Sequence, residues 1–123
     1  FERAQINLAI PEVGGPAAIF PFDVDSWGVI ADIGVGVAIT HSYIGDLVVT
    51  LVAPDGSQIT LHNREGGGTD NLDSTYGMGG LDINRSALIG RELTGRWQIV
   101  IQDQAGGDTG QLDRVSMSVI RVL

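Results

Sequence analysis

Residues 35–61 read VGVAITHSYIGDLVVTLVAPDGSQITL: two apolar runs joined by a short polar turn, then a hairpin. Leu47, Val49 and Leu51 alternate with Val48, Thr50 and Val52, so residues 46–53 are mostly apolar on both faces. That pattern predicts a strand at the centre of a sheet, covered from both sides, as in a sandwich. Pro54-Asp55-Gly56 then turns the chain. Pro54 supplies the torsion needed at the first central position of a turn, and Gly56 can take the positive φ that closes it. Ile59 and Leu61 alternate with Gln58, Thr60 and His62, which predicts a return strand with one wet face.

The same rhythm recurs along the chain. Its 123 residues are enough for one domain with a single core, so residues 1–123 are read as one unit. Strands are predicted over residues 4–10, 18–29 and 29–39, with Pro21 at a sheet edge. Gly34 and Gly36 mark a bulge or a close backbone approach. Residues 63–84 read as a long glycine- and aspartate-rich loop, and a loop of that length usually has a job or a ligand. Residues 87–93 read as irregular. A strand over 97–102, with Trp97, Ile99 and Ile101 on one face, precedes a second acidic glycine loop over 103–113. The last strand, 114–123, turns Val115, Met117 and Val119 inward. Seven or eight strands and no helix predict an all-β, two-sheet sandwich.

Formal net charge is -8, and every basic residue is arginine. Phosphate binding needs a basic patch, so nucleic acid is a poor partner. The aspartate excess fits either plain solubility or calcium. There is no cysteine, which removes disulfides, zinc-thiolate sites and thiol catalysis. No apolar run approaches the ~20 residues of a membrane span. With Phe1 first and no leader sequence, the chain reads as a processed or excised piece of something longer.

Four stretches carry a resemblance. They are Ala9-Ile10-Pro11-Glu12; Ile39 through Leu47 (ITHSYIGDL); Leu51 through Gly56 (LVAPDG); and Gly95-Arg96-Trp97 with Asp103 through Leu112. In their order and spacing they resemble the P domain, or Homo B domain, of the proprotein convertases and of bacterial secreted subtilisin-like proteases. The family pattern has Asp where Glu12 stands and an aromatic residue where Val115 stands. The resemblance implies a sandwich of jelly-roll type without catalytic residues, secreted with a subtilisin-like serine protease domain of the same polypeptide. It also implies support for that domain's folding and stability, with calcium as a possible ligand. The alternative is a binding module for carbohydrate or protein in an extracellular multidomain protein.

The candidate site residues follow. No serine lies in a G-x-S-x-G elbow. His41 is expected to pin a turn by a hydrogen bond, and His62 to sit at a solvated edge. Gly45, Asp46, Pro54, Gly56 and Trp97 are expected to be structural. Gly45 is expected to need a backbone conformation that β-branched residues resist. The Asp46 carboxylate is expected to hold the turn through backbone N–H groups. Asp103 and Asp108 in the later loop, and Asp70 and Asp73 in the earlier one, are candidate calcium ligands. The glycines beside them would let carbonyl oxygens complete a cage; solvated Asx turns explain the same residues. Neither loop has the EF-hand spacing.

Overall fold

The computed structural model describes residues 1–107 and 109–123. The expectation for Asp108 therefore lies outside the described residues. Nine strands and one turn of 3-10 helix are present: β1 (Glu2–Arg3), β2 (Leu8–Ile10), β3 (Ala18–Val24), β4 (Val29–His41), the turn Ile44–Asp46, β5 (Leu47–Val52), β6 (Gln58–Asn63), β7 (Leu72–Gly77), β8 (Gly95–Asp103) and β9 (Gly110–Val122). They form two antiparallel sheets. One has the order β1-β9-β4-β7, with β2 also on β9; the other has the order β3-β8-β5-β6. From β3 to β9 the chain passes between the sheets repeatedly, and the fold is a two-sheet β-sandwich of jelly-roll type.

The core lies between the sheets and is made by alternation. Ile33, Val35, Val37 and Ile39 of β4 face Val49 and Leu51 of β5 and Trp97, Ile99 and Ile101 of β8, all essentially without solvent exposure. Trp97 is fully buried, and its indole Nε1 donates to Leu93 O at 2.9 Å, so the one polar atom of the largest core side chain is satisfied. Strand β5 is central, between β8 and β6, as its pattern predicts. Its outer face, Val48, Thr50 and Val52, is half-buried rather than covered. Pro21 sits in β3, an edge strand, where a missing N–H costs no ladder bond. The hairpin turn closes as predicted: Gly56 has φ of 90° and its N–H donates to Ala53 O at 2.9 Å.

Three segments differ from the sequence reading. Gln5 and Asn7 take left-handed φ of 55° and 53°, so the 4–10 stretch cannot run as one strand; Leu8–Ile10 pairs with β9, and Ile6 N–H donates separately to Asp113 O at 3.0 Å. The 63–84 loop contains β7, which pairs with β4 from Gly34↔Gly77 to Ile39↔Leu72. Its Asp73, Ser74 and Thr75 hide an alternation whose apolar members are only Leu72 and Tyr76. The glycines of β4 mark close approach and not bulges. A Cβ on Gly34 would fall on the Met78 carbonyl, and one on Gly36 on the Ser116 hydroxyl, whereas the register shifts lie between Ile30 and Asp32 and between Ala38 and Ile39.

Gly45 is restricted by space and not by its φ, which is not in the left-handed region. A Cβ there would lie 2.8 Å from both Cα and O of Gly67. Asp55 caps the hairpin turn by accepting Ser57 N–H at 2.9 Å, and this hydrogen bond, with lesser help from Arg91, holds its carboxyl below the usual range. Asparagine keeps that acceptor. Gly45→Val should therefore destabilise by about 1–3 kcal/mol through overpacking, and Asp55→Asn by much less. Thermal melts of the two variants that ranked them the other way would contradict this placement of the turn.

Candidate functional site

All four buried polar side chains among the described residues, His41, Asp46, His62 and Asp103, gather at one end of the sandwich. There β4 leaves one sheet and β5 enters the other through residues 42–46. Strand β8 ends at Asp103, opposite Leu47, and β6 brings His62 opposite Val49.

The centre is a hydrogen bond between His41 Nε2 and Asp103 Oδ2 at 3.0 Å, both side chains fully buried. The other ring nitrogen, Nδ1, accepts the Tyr43 N–H at 3.0 Å. A backbone amide can only donate, so Nδ1 holds the lone pair and Nε2 carries the proton that goes to Asp103. The second Asp103 oxygen, Oδ1, accepts Ala105 N–H at 3.1 Å. Each polar atom of the pair thus has a partner, as burial demands.

His62 is buried, not at a solvated edge. The register shift between Val49 and Thr50 sets Thr60 opposite Thr50 and His62 opposite Val49, so Leu61 is an extra residue. That bulge reverses the alternation and turns His62 inward, where Nε2 donates to Ile44 O at 2.9 Å. Asp46 is also buried, yet its backbone and not its carboxylate makes the bonds that hold the turn. Asp46 N donates to Tyr43 O at 3.1 Å, and Asp46 O accepts Gln104 N–H at 2.7 Å.

Both acidic glycine loops strap onto this turn. From the earlier loop, Gly67 O accepts Gly45 N–H at 2.9 Å, Thr69 O accepts Ile44 N–H at 3.1 Å, and Asn71 N donates to His41 O at 2.8 Å. Arg64 Nε adds a bond to Gly45 O at 3.3 Å. The later loop contributes the Gln104 and Ala105 amides.

Asp70, Asp73 and Asp103, the candidate metal ligands among the described residues, form no metal-holding group. Asp103 is committed to His41 and Ala105. Asp73 lies on β7 and pairs with Arg114 at 2.8 Å. Asp70 is exposed. Among the described residues, no three His, Cys, Asp or Glu side chains are grouped so that they could hold a metal ion. Sequence reasoning did not foresee Asp32. It accepts Ile33 N–H and Arg85 Nε, both at 2.8 Å, beside the β4 bulge, and the backbone bond first and the guanidinium second lower its carboxyl pKa.

The family model of the proprotein convertase P-domain matches residues 30–119, a span that contains the whole crossover. The chain belongs to this family. Over 79 residues it is 44% identical to leupeptin-inactivating enzyme 1 of Streptomyces exfoliatus, covering 64% of this chain and 16% of that one. Over 96 residues it is 40% identical to a calcium-dependent protease of Trichormus variabilis, covering 73% of this P domain and 14% of that protein. The chain thus spans only about a sixth or less of these curated relatives. Among solved structures, the serine protease of Aeromonas sobria shares the fold over 99% of this chain and 26% of that one, with a TM-score of 0.76 at 16% identity. Val115 is fully buried in the core.

Asp103 accepts two buried N–H groups through two oxygens, and asparagine has only one acceptor oxygen. Asp103→Asn should therefore leave one buried donor or the new amide unpaired and cost about 1–3 kcal/mol in urea unfolding. A variant with wild-type stability would remove the His41–Asp103 pair from its central place.

Proposed function

We propose that this P domain is a non-catalytic accessory domain of a secreted peptidase, placed after a subtilisin-like serine protease domain whose folding and lifetime it supports. The observation that carries the non-catalytic reading is the state of His41. A general base needs a free ring nitrogen and access to substrate. Both nitrogens of His41 are bonded and the residue is buried, while His62 is spent on Ile44 O. What supports the peptidase context is the family together with the relatives' names, which include a calcium-dependent protease and a serine protease. Secretion follows from the same context. Among the described residues no helix is long and apolar enough to cross a membrane.

Support of a neighbour works through shared burial. Two domains that pack together each remove apolar surface from water, and separating them exposes it again. The full-length polypeptide and a version ending before this domain should differ in secreted yield and in heat inactivation, the truncated form losing activity several-fold faster. Equal half-lives would favour a binding module instead. A carbohydrate platform needs neighbouring exposed aromatics. Among the described residues the exposed aromatics are Phe1, Trp27 and Tyr43; Phe1 stacks on Phe22, while Trp27 and Tyr43 flank the 13-residue strand β4 at its two ends. Such a strand is roughly 40 Å long, so the two rings cannot stack on one sugar chain.

Calcium enters through the name of one relative described above, and Asp103 and Asp73 already have partners. We expect millimolar calcium after EDTA treatment to move the melting temperature of the isolated domain by no more than about 1 °C. A ligand at ~100 times its Kd would add roughly 2.7 kcal/mol and several degrees. A rise of that size, lost in Asp70→Asn, would place a calcium site in the earlier loop.

A further inference from the structure

The edge of β9 that faces β1 stops being paired part-way along its length. Met117 exchanges both backbone bonds with Phe1: the Phe1 nitrogen donates to Met117 O at 3.0 Å, and Met117 N donates to Phe1 O at 2.9 Å. Bonding direction alternates along an antiparallel strand. The N–H and C=O of Val119 and Arg121 therefore point to the same side as those of Met117, away from β4. Among the described residues nothing pairs with them from that side, since β1 covers only Val115 and Ser116 and β2 lies further back on β9. Next to this open edge, a cleft of about 220 Å³ enters between the sheets, lined by Phe1, Val24, Leu93, Met117, Val119 and Arg121.

We propose that this edge is a strand acceptor whose occupant is the extended segment of polypeptide leading into Phe1. The proposal rests on the reading that a peptidase domain precedes this one. Direction and register argue for that occupant. Glu2 lies opposite Ser116, and Phe1 bonds with Met117, so a chain arriving at Phe1 in extended form already lies along β9 and needs no turn. The residue before Phe1 falls opposite Ser118, and the one before that falls opposite Val119.

Side-chain period then sets the chemistry. Phe1 points inward and stacks on Phe22 with ring centroids 4.5 Å apart. Successive side chains of a strand alternate, so the side chain two positions before Phe1 enters the cleft. Val24, Leu93 and Val119 form its apolar walls and Ser26 and Arg121 its polar ones, which fit one side chain with an apolar body. Backbone bonds would supply affinity and this pocket would supply selectivity, the division of labour in strand addition. An unpaired edge with an open cleft beneath it is a hazard unless something covers it.

Amide hydrogen exchange tests the assignment in two proteins: residues 1–123 alone, and the same domain preceded by its encoded peptidase. In the first, Met117 should be protected while Val119 and Arg121 exchange as open edge. In the second, Val119 and Arg121 should slow by ~10-fold or more, the equivalent of one net hydrogen bond. Unchanged exchange in the linked protein would overturn the acceptor edge. Protection in the isolated chain that grows with its concentration would assign the edge to a second copy and overturn the proposed occupant. Val119→Pro removes the edge donor but no bond to β4, and edge positions tolerate proline. It should leave residues 1–123 folded and abolish the protection of Arg121 in the linked protein. If this variant fails to fold, the exchange comparison still decides. An encoded polypeptide with no peptidase before Phe1 overturns the underlying reading; a peptidase with unaltered exchange overturns the acceptor alone.

Discussion

A sandwich whose chain keeps changing sheets depends on how its crossovers are held, and here one buried hydrogen bond, His41 to Asp103, holds the most demanding of them. The two residues come from different sheets, at the ends of β4 and β8. The bond therefore ties the sheets directly at the point where apolar packing gives way to turns. In a low-dielectric interior such a bond is strong, and leaving either partner unpaired is costly. Tyr43 N–H and Ala105 N–H fill the remaining acceptors, so each side of the pair also fixes the loop that follows it. The surrounding core is non-directional and would accept several registers. The polar pair, with one proton and a fixed set of acceptors, accepts one.

The central hairpin was legible because three independent signals agree there: the apolar run of β5 with the alternation at Ile59 and Leu61 of β6, Pro54 at the turn, and Gly56 where a positive φ is needed. Agreement of that kind is what makes a segment readable. Strand β7 was not legible because an edge strand with three polar residues in succession carries too little apolar pattern. The early break at Gln5 and Asn7 was invisible because neither residue is a strong turn signal in that context. His62 shows a different limit. One extra residue at Leu61 reverses inside and outside, and a register shift cannot be seen in a single strand's own sequence. The candidate site was half legible. Asp103 stood out as an acidic residue beside glycines, but its partner lies 62 positions away in the chain, and only topology brings them together.

The glycine loops illustrate how one composition serves two purposes. Carboxylates among glycines are what a calcium loop needs, and they are also what a strap needs to lie flat on a turn. Close contact between Gly45 and Gly67, and the row of carbonyls and amides exchanged with residues 41–46, put these loops to the second use. The loops carry no apolar periodicity because their bonds are made by the backbone.

The two ends of the sandwich consequently differ in kind. The end at His41 is closed by polar bonds that are mutually satisfied, so a partner gains little there without breaking them. At the other end, Trp27, Val29, Ile120 and Val122 are exposed, with Val29 opposite Val122 in the ladder. Strands β4 and β9 run the full length between these ends, paired from Val29↔Val122 to His41↔Gly110 with two register shifts. Apolar contact is the main source of association free energy, and the apolar surface that this domain leaves uncovered gathers largely at the open end. A fold shared by many functions does not name its partner, but this distribution restricts where a neighbouring domain can bury surface at a profit.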